Sequence, residues 1–81
     1  MMLNIYYSKL TGEIYTISKT DNKQDFKAFG EFADDMARIL DIIYAQDNDH
    51  LFYNKHLYKI ENGAIIAKPA EDPIALIDET E

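Results

Sequence analysis

Cysteine is absent from this chain of 81 residues, and glycine and proline are scarce, with three and two copies. Without cysteine the chain has no disulfide bonds, no thiolate nucleophile and no zinc site built on thiolates. This composition fits a reducing compartment. A backbone site for a ligand would need a second glycine beside Gly12 or a helix that starts directly after it, and the sequence has neither.

Long apolar runs are also missing, since no stretch reaches eighteen consecutive apolar residues. The first nine residues, MMLNIYYSK, lack the basic region and apolar core of a signal peptide. We therefore expect no membrane span. The predicted location is the cytoplasm of the producing cell.

Basic residues are too few to form a basic face. The formal net charge is −7, but five of the fifteen acidic residues lie in the last eleven positions. Residues 1–70 hold ten acidic residues against eight lysines and arginines, a net charge of −2. A nucleic-acid binder should show a basic face, and a protein that imitates DNA should spread carboxylates over its surface. The sequence favours neither class.

The stretch YSKLTGEIY, residues 7–15, predicts a first β-hairpin. We expect a three-residue loop, Leu10 to Gly12, with Gly12 in the left-handed conformation of a G1 bulge. The pairs expected across this hairpin are Lys9–Glu13, Tyr7–Tyr15, Ile5–Ile17 and Leu3–Lys19. The buried face would then hold Leu3, Ile5, Tyr7, Tyr15 and Ile17. Tyr6 and Ile14 would lie on the opposite face.

A helical pattern follows the polar residues 20–24, where Asp21 and Gln24 have the spacing of a capping box. Apolar side chains then recur at intervals of three and four, at Phe26, Phe29, Phe32 or Ala33, Met36, Leu40 and Ile43. Gly30 interrupts the series. The pattern predicts a short first turn and a main helix from about Glu31 to Ala45 that packs on a sheet.

The C-terminal half predicts further strands at residues 51–53 (LFY) and 56–61 (HLYKIE), and Asn62-Gly63 is a strong hairpin signal. The expected pairs are Glu61–Ala64, Ile60–Ile65 and Tyr58–Ala67. Pro69 should end the last strand, because proline has no amide proton. The predicted fold class is α+β, ββαββ(β): an antiparallel sheet of four to five strands with one main helix on one face.

The expected organisation is one domain, residues 1–69, and an acidic, loosely ordered tail, residues 70–81. The tail contains four apolar residues, Ile74 to Ile77, between acidic ones. They could dock on an open sheet face of the same chain, or be offered to a partner as an added strand. The sequence leaves both interpretations open.

Candidates for a metal site do not have the required spacing. If residues 51–53 paired with 56–58, His50 would lie near Lys59 and away from His56. Asp47 and Asp49 begin like a calcium-binding loop, but its next ligand position, its glycine position and its final glutamate position are occupied by Leu51, Phe52 and Tyr58. We expect no bound metal and no cofactor.

Candidates for catalysis are equally poor. Asp34 and Asp35 are adjacent, so they point to different sides of a helix and cannot act as a carboxylate pair. Ser8 and Ser18 have no histidine or lysine at a spacing that would indicate activation. The sequence therefore predicts a protein that is not an enzyme and has no small-molecule substrate.

Three features together resemble a known group of proteins: the TGEI hairpin (Thr11 to Ile14), the helix with Phe29-Gly30-Glu31, and the LYKIENG hairpin (Leu57 to Gly63) before an acidic tail. This layout covers most of the chain. It is similar to small accessory proteins encoded in the tail-gene modules of phages and prophages of low-GC Gram-positive bacteria. The resemblance implies a non-enzymatic structural or assembly role, in a virion or a prophage, and no catalytic residues.

Two functions remain as hypotheses. The first is a small interaction or structural protein that binds a protein partner or itself. Its predicted contact residues are Tyr6, Ile14, Tyr53, Ile74, Leu76 and Ile77. The alternative is an acidic inhibitor of a host enzyme or nuclease, which the nearly neutral charge of residues 1–70 disfavours.

Overall fold

A computed structural model describes residues 1–69 of the chain. The elements follow in the order β1 (Met2–Ser8), β2 (Ile14–Thr20), a 3-10 helix (Phe26–Phe32), α1 (Ala33–Ile39), β3 (Leu40–Gln46), α2 (Asp49–Tyr53), a second 3-10 helix (Lys55–Leu57), β4 (Tyr58–Glu61) and β5 (Ala64–Ala67). The predicted tail lies outside the described residues.

Five strands form two antiparallel sheets among the described residues. One sheet has three strands in the order β2-β1-β3, and the other consists of β4 and β5. The predicted α+β class is confirmed. The prediction of a single sheet is wrong, because the chain divides its strands between two sheets.

The first hairpin has part of the predicted register. Leu3 lies opposite Lys19 and Ile5 opposite Ile17, as expected. The register then shifts by one residue, so that Tyr7 faces Ile14 and not Tyr15. The Ser8 N–H donates to the Glu13 carbonyl over 2.8 Å, which leaves a four-residue loop, 9–12, and not the predicted three.

This shift is a β-bulge at Tyr15, and it reverses the side of the sheet on which the neighbouring side chains lie. Ile14 packs against the core together with Tyr7, whereas Tyr15 is 53 % exposed. The sequence prediction placed these two side chains the other way round. Gly12 has the predicted left-handed conformation, with φ of 81°.

The predicted main helix over residues 31–45 is wrong in its second half. Helix α1 ends where the Leu40 N–H donates to the Met36 carbonyl, and β3 begins at Leu40. The β-branched Ile42 and Ile43 favour a strand, and the whole of β3 pairs with β1. The helical spacing of Met36, Leu40 and Ile43 therefore does not continue one helix face. Gly30 does interrupt the first helical segment, as predicted.

The three-stranded sheet is covered on both faces. On one face Leu3, Ile5 and Ile17 form the core with Leu51 of α2 and Ile60 of β4. On the other face Tyr6 meets the rings of Phe26 and Phe29 from the first 3-10 helix. The prediction of one main helix is confirmed by α1. The expectation that the second face of the sheet is open is wrong.

The C-terminal half combines a wrong prediction with a confirmed one. Residues 51–53 belong to α2 and not to a strand, since Asn48 caps this helix by accepting a hydrogen bond from the Leu51 N–H over 3.0 Å. The second hairpin has the predicted pairs Glu61–Ala64, Ile60–Ile65 and Tyr58–Ala67. Asn62 and Gly63 both have positive φ, as a two-residue hairpin turn requires.

Within residues 1–69, none of the helices combines the length and the apolar character needed to cross a membrane.

Candidate functional site

Tyr6 was predicted to point outward, and this is wrong, because its side chain is 2 % exposed. Its hydroxyl donates to the Asp25 carbonyl over 2.9 Å. The rings of Phe26 and Phe29 meet the Tyr6 ring edge-on, with centroids 5.8 and 5.0 Å away. The pKa of Tyr6 is raised mainly by its burial and, to a smaller extent, by the charges of Tyr44 and Asp25. Tyr6 therefore belongs to the core of the described residues and is not available to a partner.

The other predicted contact residues have different environments. Ile14 is half-buried against the core. Tyr53 is 72 % exposed at the end of α2. Ile74, Leu76 and Ile77 lie outside the described residues. Of these six residues, Tyr53 is the one that the described part of the chain leaves largely exposed.

Three of the candidate metal-binding residues, Asp47, Asp49 and His50, are engaged with other groups. Lys19 Nζ lies 3.2 Å from Asp47 and 3.1 Å from Asp49. The hydrogen bond to Asp49 raises the pKa of Lys19 most, and the hydrogen bond to Asp47 raises it further. His50 Nδ1 is 2.7 Å from the Tyr58 hydroxyl. Residues 1–69 contain no group of three side chains placed to hold a metal ion.

The outer edge of β3 is the first surface that the structure adds to these candidates. Among the described residues this seven-residue strand pairs only with β1. The Ile42 N–H donates to Oδ1 of Asp41 over 2.9 Å, and so it points away from β1. Because peptide groups alternate in direction along a strand, those of Tyr44 and Gln46 point the same way. The edge thus presents a row of backbone donors and acceptors.

The surroundings hold this edge in place. The Tyr44 hydroxyl donates to the Gln24 carbonyl over 2.7 Å, and Lys23 Nζ lies 5.0 Å from the centre of the Tyr44 ring. Tyr44 is still 37 % exposed, and Ile39, directly before the strand, is 59 % exposed. The edge therefore combines a fixed backbone with exposed apolar surface, which is typical of a site that accepts an added strand.

The outer edge of β5 is a second such surface. In the described part of the chain, β5 pairs only with β4. A cleft of about 410 Å³ lies beside it, lined by Ala45, Gln46, Asp47, Asn48, Leu51, Tyr58 and Ile65. The cleft has apolar side chains from four elements and polar residues 46–48 on one side.

Sequence reasoning missed both surfaces for identifiable reasons. The helical spacing predicts a helix over residues 40–45, and a helix has no strand edge. The consecutive Ile42-Ile43 pair followed by Tyr44 was the signal that could have identified a strand. The cleft beside β5 could not be found from sequence, since it depends on how α2 and the second hairpin pack on the sheet.

No family model, curated protein or solved structure matches this chain.

Proposed function

We propose that this protein is a small, non-enzymatic interaction or structural protein that associates through the outer edge of β3, and that the partner at this edge is a second copy of the chain. The observation that carries the proposal is the seven-residue edge, with its fixed backbone and exposed Tyr44, with which no strand of residues 1–69 pairs. An added strand would satisfy the outward backbone groups.

The side chains of β3 suit pairing with itself. In an antiparallel arrangement centred on Ile43, each Ile43 lies opposite the other, and Ile42 lies opposite Tyr44 of the second copy. Apolar cross-strand pairs of this kind stabilise a sheet. Asp41, the only charged residue of the strand, falls opposite Ala45, so no like charges meet. The Asp41–Ile42 hydrogen bond would be exchanged for one between the chains.

The resemblance to phage tail-module accessory proteins supplies the biological context of the proposal. Small components of such assemblies work by contacts between copies or with larger proteins. We infer a role of this kind, in the cytoplasm of the producing cell or in the virion, with no nucleic acid, membrane or small-molecule substrate as the target. The near-neutral charge of residues 1–70 supports this role over an acidic inhibitor.

Sedimentation equilibrium over a wide range of concentration tests the proposal. The wild-type chain should form dimers, and Tyr44→Glu should raise the dissociation constant of the dimer at least about tenfold, since a charge then faces Ile42 across the interface. Tyr53→Glu is the matched control, because it adds the same charge at an exposed tyrosine of α2. It should leave the dimer unchanged.

Ile42→Pro provides a second variant, since it removes an outward N–H and leaves the pairing with β1 intact. It should also weaken the dimer. A wild-type chain that remains monomeric up to about 1 mM, the weakest range of specific association, would overturn the proposal of a second copy. Equal effects of Tyr44→Glu and Tyr53→Glu would show that β3 is not the contact.

A further inference from the structure

Ile39 is a large apolar side chain that stands exposed directly before β3. It is the last residue of α1 and is 59 % exposed. Its backbone is fixed, because its carbonyl accepts a hydrogen bond from the Lys9 N–H over 3.0 Å, and Lys9 Nζ donates to the Ala37 carbonyl over 2.9 Å. The exposed Leu10 follows Lys9. Ile39 therefore holds apolar surface at the N-terminal end of the β3 edge.

A cleft of about 650 Å³ lies at the other, C-terminal end of the same strand. It is lined by Met1, Met2, Lys23 and residues 44–47. Met2 lies opposite Gln46 in the pairing of β1 with β3. Methionine side chains adapt their shape to a neighbour, so a cleft with two of them beside Tyr44 suits an apolar side chain.

The paired strands alone would make a small interface. The seven residues of β3 span about 23 Å, and a sheet is about 10 Å thick, so the edge contact covers roughly 230 Å² of each copy. A specific, stable contact between proteins buries about 800 Å² on each partner. A stable β3 dimer therefore needs further contacts beyond the ends of the strands.

The register of this dimer brings Ile39 and the cleft together. In the antiparallel arrangement with each Ile43 opposite the other, Ile39 lies opposite Asp47 of the second copy. The N-terminal end of one β3 thus meets the C-terminal end of the other, where the cleft lies. Because the dimer has two-fold symmetry, the same contact forms twice.

We propose that Ile39 of each copy packs into the cleft lined by Met2 and Tyr44 of the second copy. This inference rests on the proposed β3 dimer and adds to it the side chain and the cleft that set its affinity. Burial of Ile39 would add hydrophobic stabilisation to a contact that is otherwise made by backbone hydrogen bonds and a few cross-strand pairs.

The charges near this contact are compatible with it. The Asp47 carboxylate already binds Lys19 Nζ over 3.2 Å. Lys23 Nζ lies against the Tyr44 ring, 5.0 Å from its centre. Arg38, whose side chain is exposed, would come beside Asp47 of the second copy, so that opposite charges meet there.

Sedimentation equilibrium of Ile39→Asp tests the inference. This variant should raise the dissociation constant of the dimer at least about tenfold, because a charge would have to enter the cleft. Phe32→Asp is the matched control, since Phe32, directly before α1, is 58 % exposed and the change in charge is the same. It should change the dissociation constant less than about twofold.

NMR of dimers that combine one isotopically labelled and one unlabelled chain measures the contact directly in the wild-type protein. Nuclear Overhauser effects should connect the Ile39 methyl groups of one chain with the Met2 methyl group of the other. The same spectra should show contacts between the two Ile43 side chains, which report the β3 pairing itself.

The two proposals fail in different ways. A dimer with the Ile43 contact but without the contact of Ile39 with Met2 would overturn this inference and leave the proposed function in place. So would equal dissociation constants for Ile39→Asp and Phe32→Asp. A wild-type chain that stays monomeric up to about 1 mM would overturn the proposed function and this inference with it.

Discussion

The Ile60 N–H donates a hydrogen bond to the Gly12 carbonyl over 2.8 Å, and this bond joins the two hairpins of the protein. Beside it Glu13 and Lys59 form an isolated bridge, and Lys68 Nζ lies 2.7 Å from Glu13. A Cβ atom on Gly12 would overlap the carbonyl oxygen of Ile60. Gly12 therefore serves the turn of the first hairpin and also its contact with β4.

We expect Gly12→Ala to lower the free energy of unfolding by about 2 kcal/mol or more, since left-handed strain of about 1–2 kcal/mol is added to a clash with the backbone of Ile60. Gly63→Ala is the control. Its φ of 77° carries the same strain, but nothing lies within 4 Å of the added Cβ. Urea unfolding of both variants is the measurement, and equal losses would show that the Gly12–Ile60 contact contributes nothing.

Tyr6→Phe should cost about 1 kcal/mol at neutral pH, because it removes the hydrogen bond to Asp25 and keeps the ring. The pKa of Tyr6 is raised in the folded protein, first by burial. The folded state therefore holds the hydroxyl proton of Tyr6 more tightly than the unfolded state does. The resulting contribution to the free energy of unfolding is complete below about pH 10 and is lost as the pH rises further.

Above about pH 10 the stability of Tyr6→Phe should thus fall less steeply than that of the wild-type chain. The raised pKa values of Tyr7 and Lys19 act in the same direction in both chains, and the difference between the chains isolates Tyr6. Urea unfolding between about pH 8 and 11 checks this, and parallel curves for the two chains would contradict it.

Asn4→Ala should be strongly destabilising, by about 2–4 kcal/mol, since it leaves several polar groups without partners. The Asn4 side chain is fully buried. Its amide donates to the Ser18 carbonyl and to Thr20 Oγ1 over 3.2 and 2.7 Å, and its oxygen accepts from the Gln24 N–H over 2.9 Å. Asn22→Ala, at an exposed position, is the control and should change stability by less than about 0.5 kcal/mol in the same thermal melt.

Zinc or calcium at tenfold molar excess should leave the melting temperature unchanged, because an ion that bound only the folded state would raise it. The reason for this expectation is that Asp47 and Asp49 already pair with Lys19, and His50 with Tyr58. Calorimetry with and without each ion is the measurement. A clear rise would point back to Asp47, Asp49, His50 and His56 as ligands.

The sequence alone determined the features that depend on neighbouring residues. Asn62-Gly63 specifies a two-residue turn, since both residues accept positive φ. The length of this turn then fixes the cross-strand pairs Ile60–Ile65 and Tyr58–Ala67. Gly12 specifies a left-handed turn residue for the same reason. The α+β class followed from these turns and from the helical start near Phe26.

Only the tertiary structure decided the features that depend on distant residues. Residues 40–46 fit a helical spacing and a strand composition alike, and pairing with β1 made them β3. The bulge at Tyr15 accompanies a longer turn that is held by contacts of Lys9 with Ile39 and of Gly12 with Ile60. Tyr6 is buried because Phe26 and Phe29 cover it. Local preference differs little between the alternatives in each case, so the burial of apolar surface between distant segments selects one of them.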